Sequence, residues 1–356
     1  MRSCPLLIRP FAPEDLSAAA ALWNKCCASG DVLYCPLEED AFLRRFTLGE
    51  GCLPDHFLAA EENGSLVGFL HAVAPETFRG ARKGVGYVTC LMVRPDMRSR
   101  GIGRALLEEE IRRLKACGAD SVQISSVNPV NLSWRIPGTP GHDHNNMPGL
   151  DTECAGAGFF RHMGFDAVHT EVAMYLNLKD YHQPPEIPQL REKLRAQGIE
   201  TGPWSPDLGR EFDGMCDRVG SDYWRDVLRT ETGAWLSGTP NADARFWPDG
   251  RQPSGPRTLL TATTEGHIVG FTGPVDRQMS GRGWFTGICT DPLYERRGIA
   301  TVLFHLLMQA FVENGSQFST LFTGTDNHAQ RIYLGAGMRP VRKFDLMKRN
   351  LEEAQQ

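Results

Sequence analysis

Apolar and polar positions fall into short runs along the first half of the chain, and a similar order of runs returns in the second half. Leu6 to Phe11 reads as a strand, and Asp15 to Cys27, rich in Ala and Leu, as a helix. Phe57 to Ala60 and Leu66 to Leu70 flank Asn63-Gly64, the turn pair of a β-hairpin. Gly86 to Val93 is a further strand. It enters an arginine-glycine turn, followed by an apolar-periodic helix that Gly118 would end. Ser121 to Ser126 is again a strand, and Phe159 to Phe165 leads into another at Ala167 to Leu178. In the second half, Thr258 to Ala262 and Ile268 to Phe271 flank Glu265-Gly266, and Trp284 to Thr290 enters a second arginine-glycine turn. Leu321 to Thr323 follows the helix after that turn, and Ile332 to Met338 leads into Pro340 to Met347. The pattern predicts mixed α/β structure, built twice.

The two turns carry the chemistry. The first reads Arg98-Ser99-Arg100-Gly101-Ile102-Gly103-Arg104 and the second Glu295-Arg296-Arg297-Gly298-Ile299-Ala300-Thr301. A strand feeding a glycine turn at a helix N-terminus aims unpaired backbone N–H groups and the positive end of the helix dipole at one point, which suits a phosphate or diphosphate. The nucleotide triphosphatase loop, Gly-x-x-x-x-Gly-Lys-Ser/Thr, is absent, and no Gly-x-Gly-x-x-Gly follows a strand. What the first turn matches is Gln/Arg-x-x-Gly-x-Gly/Ala, with Arg98, Gly101 and Gly103 in the three places.

That motif, between an apolar strand and a helix, resembles the acyl-CoA loop of the GCN5-related N-acetyltransferase (GNAT) superfamily. The duplicated order is similar to tandem members such as mycothiol synthase. The resemblance implies two GNAT modules, each a mostly antiparallel mixed sheet that splays after the strand entering its turn and is flanked by helices. It implies transfer of the acetyl group of acetyl-CoA to a primary amine by direct attack in a ternary complex. Cofactor-binding positions carried over are Leu91, Met92, Val93 and Arg98 to Arg104 in the first half. In the second half they are Ile288, Cys289, Thr290, Arg296, Arg297, Gly298, Ile299, Ala300, Thr301 and Asn327. Asn327 is equally readable as a helix cap. No metal is implied; His142-Asp143-His144 lacks the further ligands of a standard site.

The halves are not equivalent. Glu295 stands where the family has Gln or Arg, and a carboxylate is unfavourable beside a diphosphate. Yet the second half has Tyr333 four residues before Gly337, where the resemblance places the acid that protonates the departing thiolate, while the first half has Phe160 before Gly164. Catalysis is therefore expected in the C-terminal module with Tyr333 as acid. The alternatives are catalysis in the N-terminal module, and a non-catalytic CoA- or partner-binding protein on a degenerate fold.

Expected boundaries are 1–178 for the first module, 179–198 for a linker with a short helix, and 199–356 for the second module. Gly101 to Gly164 spans 63 residues and Gly298 to Gly337 spans 39, so the first module carries 63 − 39 = 24 extra, placed at Val127 to Leu150. Asp207, Asp213, Asp217, Asp222, Asp226 and Glu231 lie among aromatic residues, readable as a helix pair with a solvated acidic face or as an amine pocket. The helix at Val302 to Val312 is apolar almost all round, so it is expected to be buried on most sides.

Length and charge fit this picture. At 356 residues, two domains are expected, and a net charge of −5 without a basic run argues against nucleic acid as a partner. No stretch approaches the roughly 20 apolar residues of a membrane span, and the N-terminus lacks the apolar core of a signal peptide. The ten cysteines lack Cys-x-x-Cys pairs and read as reduced thiols of a cytoplasmic protein. A small-molecule amine is the expected acceptor, and the sequence leaves monomer and homodimer both open.

Overall fold

The computed structural model describes residues 5–130, 132–140, 147–242 and 253–351. In chain order the first elements are β1 (Leu7–Pro10), α1 (Leu16–Ala28), α2 (Glu39–Thr47), β2 (Phe57–Glu62), β3 (Ser65–Val73), β4 (Val85–Val93) and α3 (Ile102–Ala116). They are followed by β5 (Ser121–Ile124), β6 (Leu150–Asp151), α4 (Gly156–His162), β7 (Asp166–Asn177), α5 (Glu186–Arg195), β8 (Glu200–Pro203) and β9 (Gly209–Glu211). Then come α6 (Asp213–Val219), α7 (Asp222–Ser237), β10 (Thr258–Thr264), β11 (Gly266–Arg277), β12 (Arg282–Trp284) and β13 (Gly287–Thr290). The last are α8 (Ile299–Glu313), β14 (Phe318–Gly324), α9 (Gln330–Gly335) and β15 (Arg339–Asn350). His142-Asp143-His144 lies outside the described residues.

The chain forms two compact units. The first holds residues 5–139, 147–172 and 342–351, the second 173–341. These boundaries differ from the expected 1–178 and 199–356. Residues 342–351 close the first unit because β15 pairs antiparallel with β5, from Met347 opposite Ile124 to Asn350 opposite Ser121. Met347 and Leu351 enter the first unit's core, and Phe344 meets Trp134 edge-on. Residues 173–178, expected in the first module, belong to the second unit, where the Leu178 N–H donates to Gln317.

In the first unit the strands run β1-β2-β3-β4-β5-β15, antiparallel except for β4 beside β5. Asn63 and Gly64 both take positive φ, 54° and 75°, as the tight hairpin turn between β2 and β3 requires. Strand alternation divides the core. Phe57, Phe69, Cys90 and Met92 pack with Trp23, Phe42 and Phe46 of α1 and α2, while Leu58, Leu70 and Val88 pack with Leu106, Leu107 and Leu114 of α3. Thr89 is the extra residue of a bulge, because His71 pairs with Cys90 and Ala72 with Val88.

The fully buried His71 sits beside that bulge. Its Nδ1 lies 2.7 Å from Thr89 Oγ1, whose own hydrogen goes to the His71 carbonyl at 3.0 Å, so the ring donates and the hydroxyl accepts. Burial depresses the imidazole pKa to about 3. Protons then bind the unfolded chain below about pH 6.5 without binding the folded one, so stability present at neutral pH is lost as pH falls. Between pH 6.5 and 5 this amounts to about 2 kcal/mol. Across that range the urea midpoint of the parent should fall relative to that of His71→Leu as pH falls; parallel curves would contradict the assignment.

In the second unit the order is β14-β12-β11-β10-β8, with β13 and β9 also on β11. Its β10–β11 hairpin repeats the tight turn with Glu265 and Gly266 at φ 49° and 81°. The all-round apolar α8 buries Val302, Leu303, Phe304, Leu307, Met308 and Phe311, and α5 covers part of it. The expected linker helix is thus a packed element of the second unit. The acidic segment forms the helix pair α6 and α7, where Asp213 and Asp217 pair with Arg225 and Glu231 is buried against Arg257. Arginines thus face Asp213, Asp217, Asp222 and Glu231 of this segment.

Candidate active site

Both turns fold alike. Ser99 and Gly101 take φ 60° and 85°, and Arg296 and Gly298 take 59° and 93°. Alternation of this kind gathers successive N–H groups into an anion-binding nest. Gly101 and Gly298 stand at the N-caps of α3 and α8, and neither helix start is capped by a side chain. The first-turn N–H groups are therefore free for a ligand.

Each strand leading to a turn also parts from its neighbour. β4 pairs with β5 only from Val85 to Tyr87, so the remainder of β4 has a free edge. In the second unit β12 pairs with β14 at Arg282 and Gly283, then the strand breaks, and β13 stays with β11 alone. The parting begins earlier than the expected Val93 and Thr290. In one unit the pairing with β5 stops at Tyr87, and in the other a break at Phe285-Thr286 separates β12 from β13.

The surroundings of the two turns differ. The first turn, the free edge of β4 and α4 line a cavity of about 480 Å³. Among the expected cofactor residues, Leu91, Met92, Val93, Arg98, Ser99, Gly101, Ile102, Gly103 and Arg104 face it, and Arg100 does not. Arg100 instead pairs with Glu62 at 3.0 Å. Arg98 is used structurally: it pairs with Asp31 at 2.9 Å and donates to the Val93 carbonyl at 3.2 Å, which pins the turn to the chain after α1. A side chain added at Gly101 would meet open space, whereas at Gly298 it would meet Leu190 of α5 at 2.8 Å. Glu295 is exposed, and Arg297 stacks over Tyr294 at 4.9 Å.

Tyr333, the expected acid, is buried on α9 with its ring 4.9 Å from Phe304, and burial raises its hydroxyl to about 12. Asn327 Oδ1 accepts from the Ala329 N–H at 2.9 Å in a turn ahead of α9, whose N-cap is Ala329. Thr290, Cys289 and Ile288 lie on β13. Phe160, the counterpart of Tyr333, lines the first unit's cavity and has no proton to give.

Several lining residues lie outside the cofactor positions expected from the sequence. Tyr34 follows α1, bridges to Trp134 in the inserted segment and stacks on Trp23 at 4.9 Å. Loss of hydration holds its hydroxyl above the ordinary tyrosine range, with the neighbouring Cys90 and Cys154 acting in the same direction. Cys90 itself is pushed up to about 12 by burial. Thr89, Cys154 and the end of the insertion from Gly149 to Asp151 also line the cavity. That end is fixed because Gly149 lies against the Asp345 backbone and Asp151 pairs with Arg342 at 2.8 Å.

The first unit thus brings a turn with N–H groups at a helix start, the free edge of a splayed sheet and a tyrosine to one cavity. The chain belongs to the acetyltransferase (GNAT) family, whose model matches residues 21–133 and again 221–337. An acetyltransferase of Pectobacterium atrosepticum is 32% identical over 117 residues, covering 33% of this chain and 73% of the relative. The fold is shared with a GCN5-related N-acetyltransferase from Sphaerobacter thermophilus over 98% of this chain and 96% of that one, at 18% identity and TM-score 0.54. It is shared too with a tandem GNAT protein from the clavulanic acid biosynthesis pathway, over 99% and 100%, at 15% identity and TM-score 0.51. A fungal multi-domain β-N-acetylglucosaminidase with a GCN5-related glucosamine N-acetyltransferase region matches 97% of this chain at 16% identity and TM-score 0.61. This chain spans 38% of its length. The protein is an acetyl-transferring enzyme with two GNAT modules, and its family uses acetyl-CoA. Among the described residues no helix is long and apolar enough to cross a membrane.

Proposed function

We propose that the chain acetylates a primary amine of a small molecule with acetyl-CoA held in the first unit. The supporting observation is the cavity of about 480 Å³ on which the first turn, the free edge of β4 and α4 converge. Its size falls in the range of roughly 300–1,000 Å³ typical of small-molecule sites. When bound, acetyl-CoA supplies a thioester acetyl group. The N–H groups from Arg98 to Arg104 would hold the diphosphate, with the exposed Arg104 adding positive charge. The unpaired amides of β4 would align the amide-bearing arm and offer an N–H to the oxyanion. Tyr34, still protonated at neutral pH, would give its proton to the departing thiolate. Phe159 and Phe160 form an apolar wall that limits water.

A second reading places the chemistry in the second unit. It rests on Tyr333, whose protonated hydroxyl stands at the family's acid position. Thiol release from acetyl-CoA, measured with a panel of amino sugars, polyamines and amino acids, tests the activity. Release with one class of amine is expected; calorimetry showing no acetyl-CoA binding would overturn both readings.

A further inference from the structure

Away from the cavity, at the C-terminal end of α3, a thiol, an imidazole and a carboxyl stand in line. Cys117 is exposed, and its Sγ lies 3.6 Å from Nε2 of His56. His56 is 2% exposed, at the end of a single 3-10 turn (Pro54–His56), and its Nδ1 lies 2.7 Å from Oε1 of Glu110. Glu110 is fully buried, and its Oε2 has no hydrogen-bond partner among the described residues. Glu110 and Cys117, the C-cap of α3, are about two helical turns apart, so both lie on one side and the imidazole reaches each. Arg113 and Glu109 on α3, and the neutral His71 on β3, are the other ionisable groups acting on this pair.

With the carboxylate accepting from Nδ1–H, Nε2 is left as an acceptor aimed at the thiol. That is the order of nucleophile, base and orienting group found where cysteines are activated. A structural His–Glu anchor would not need an exposed thiol at the remaining nitrogen. Cys26, Cys27, Cys52, Cys90, Cys154, Cys216 and Cys289 are pushed up by burial. Cys117 is the exposed one among the described cysteines.

We propose that Cys117 is a nucleophilic thiol for exchange with low-molecular-weight disulfides, with His56 as its base and Glu110 as the group that orients it. The Cys117 proton passes to Nε2, and the sulfur attacks one sulfur of the disulfide. The protein–S–S–R bond forms as the R–S–S–R bond breaks, and the released R–S⁻ takes up a proton from the imidazolium. Cys117 is oxidised and one thiol of the reagent is formed by reduction. This exchange needs an accessible sulfur and a base but no oxyanion site, which suits an exposed position outside the cavity.

The test reacts the full-length chain at pH 7 with bis(2-hydroxyethyl) disulfide and follows each cysteine by peptide mass mapping. The reference is the same chain unfolded in urea. Cys117 should be modified first, about tenfold or more faster in the native chain than in the unfolded one. In His56→Gln its rate should fall to the unfolded value, with continued protection of Cys26, Cys90 and Cys216 reporting that the variant is folded. A native rate equal to or below the unfolded rate overturns the proposal, whatever the variant does. An undiminished rate in a folded His56→Gln chain overturns it as well.

Discussion

Gly101→Asp should weaken acetyl-CoA binding at least about 100-fold, measured by titration calorimetry on the full chain, and turnover should fall with it. A carboxylate about 4 Å from a diphosphate, in surroundings of intermediate dielectric, is repelled by about 4 kcal/mol per charge, and each 1.4 kcal/mol is tenfold in affinity. Steric conflict is not the cause, because the space beside Gly101 is open. Nor is the φ of 85° decisive, since Gly101→Asn bears the same backbone strain without the charge and should bind far better than the Asp variant. The corresponding Gly298→Asp change acts differently. Leu190 carbons lie 2.8–3.1 Å from where its Cβ would be, so the thermal unfolding midpoint should drop while acetyl-CoA affinity holds. Equal affinity in the parent and Gly101→Asp would remove the cofactor from the first unit.

Tyr34→Phe should lower turnover by roughly 10²–10⁴, the usual range for loss of a general acid. It should leave acetyl-CoA affinity nearly unchanged, because the hydroxyl acts in the transition state. The remaining ring still stacks on Trp23, so the unfolding midpoint should hold. Tyr333→Phe, made in parallel, should turn over like the parent. The reverse pattern, a slow Tyr333→Phe and a normal Tyr34→Phe, would move the chemistry to the second unit. The pair of variants therefore decides between two tyrosines whose hydroxyls burial shifts in the same direction.

What the sequence makes legible is local. Strand, turn and helix around Gly101 and Gly298 are contiguous, and the backbone conformation of each turn follows from a few adjacent residues. The hairpins at Asn63-Gly64 and Glu265-Gly266 are readable for the same reason. The remainder depends on approaches between distant segments. Tyr34 reaches the cavity because it bridges to Trp134, a hundred positions on, and no periodicity records that contact. Leu190 covers Gly298 because the whole of α5 docks on α8, although its own pattern shows only an amphipathic helix. Glu110 is the clearest case. In the sequence it is one of three consecutive glutamates on a charged helix, and only the approach of His56 shows that it is buried.

Because residues 342–351 close the first unit, the two modules do not mature in the order in which they are synthesised. During translation the first unit waits for residues 342–351 to leave the ribosome, and until then the β5 edge lacks its antiparallel neighbour. An unpaired edge of this kind invites association with other chains. A fragment ending near residue 178 is therefore a poor surrogate for the first half, whereas a truncation before residue 342 would strike the unit encoded first.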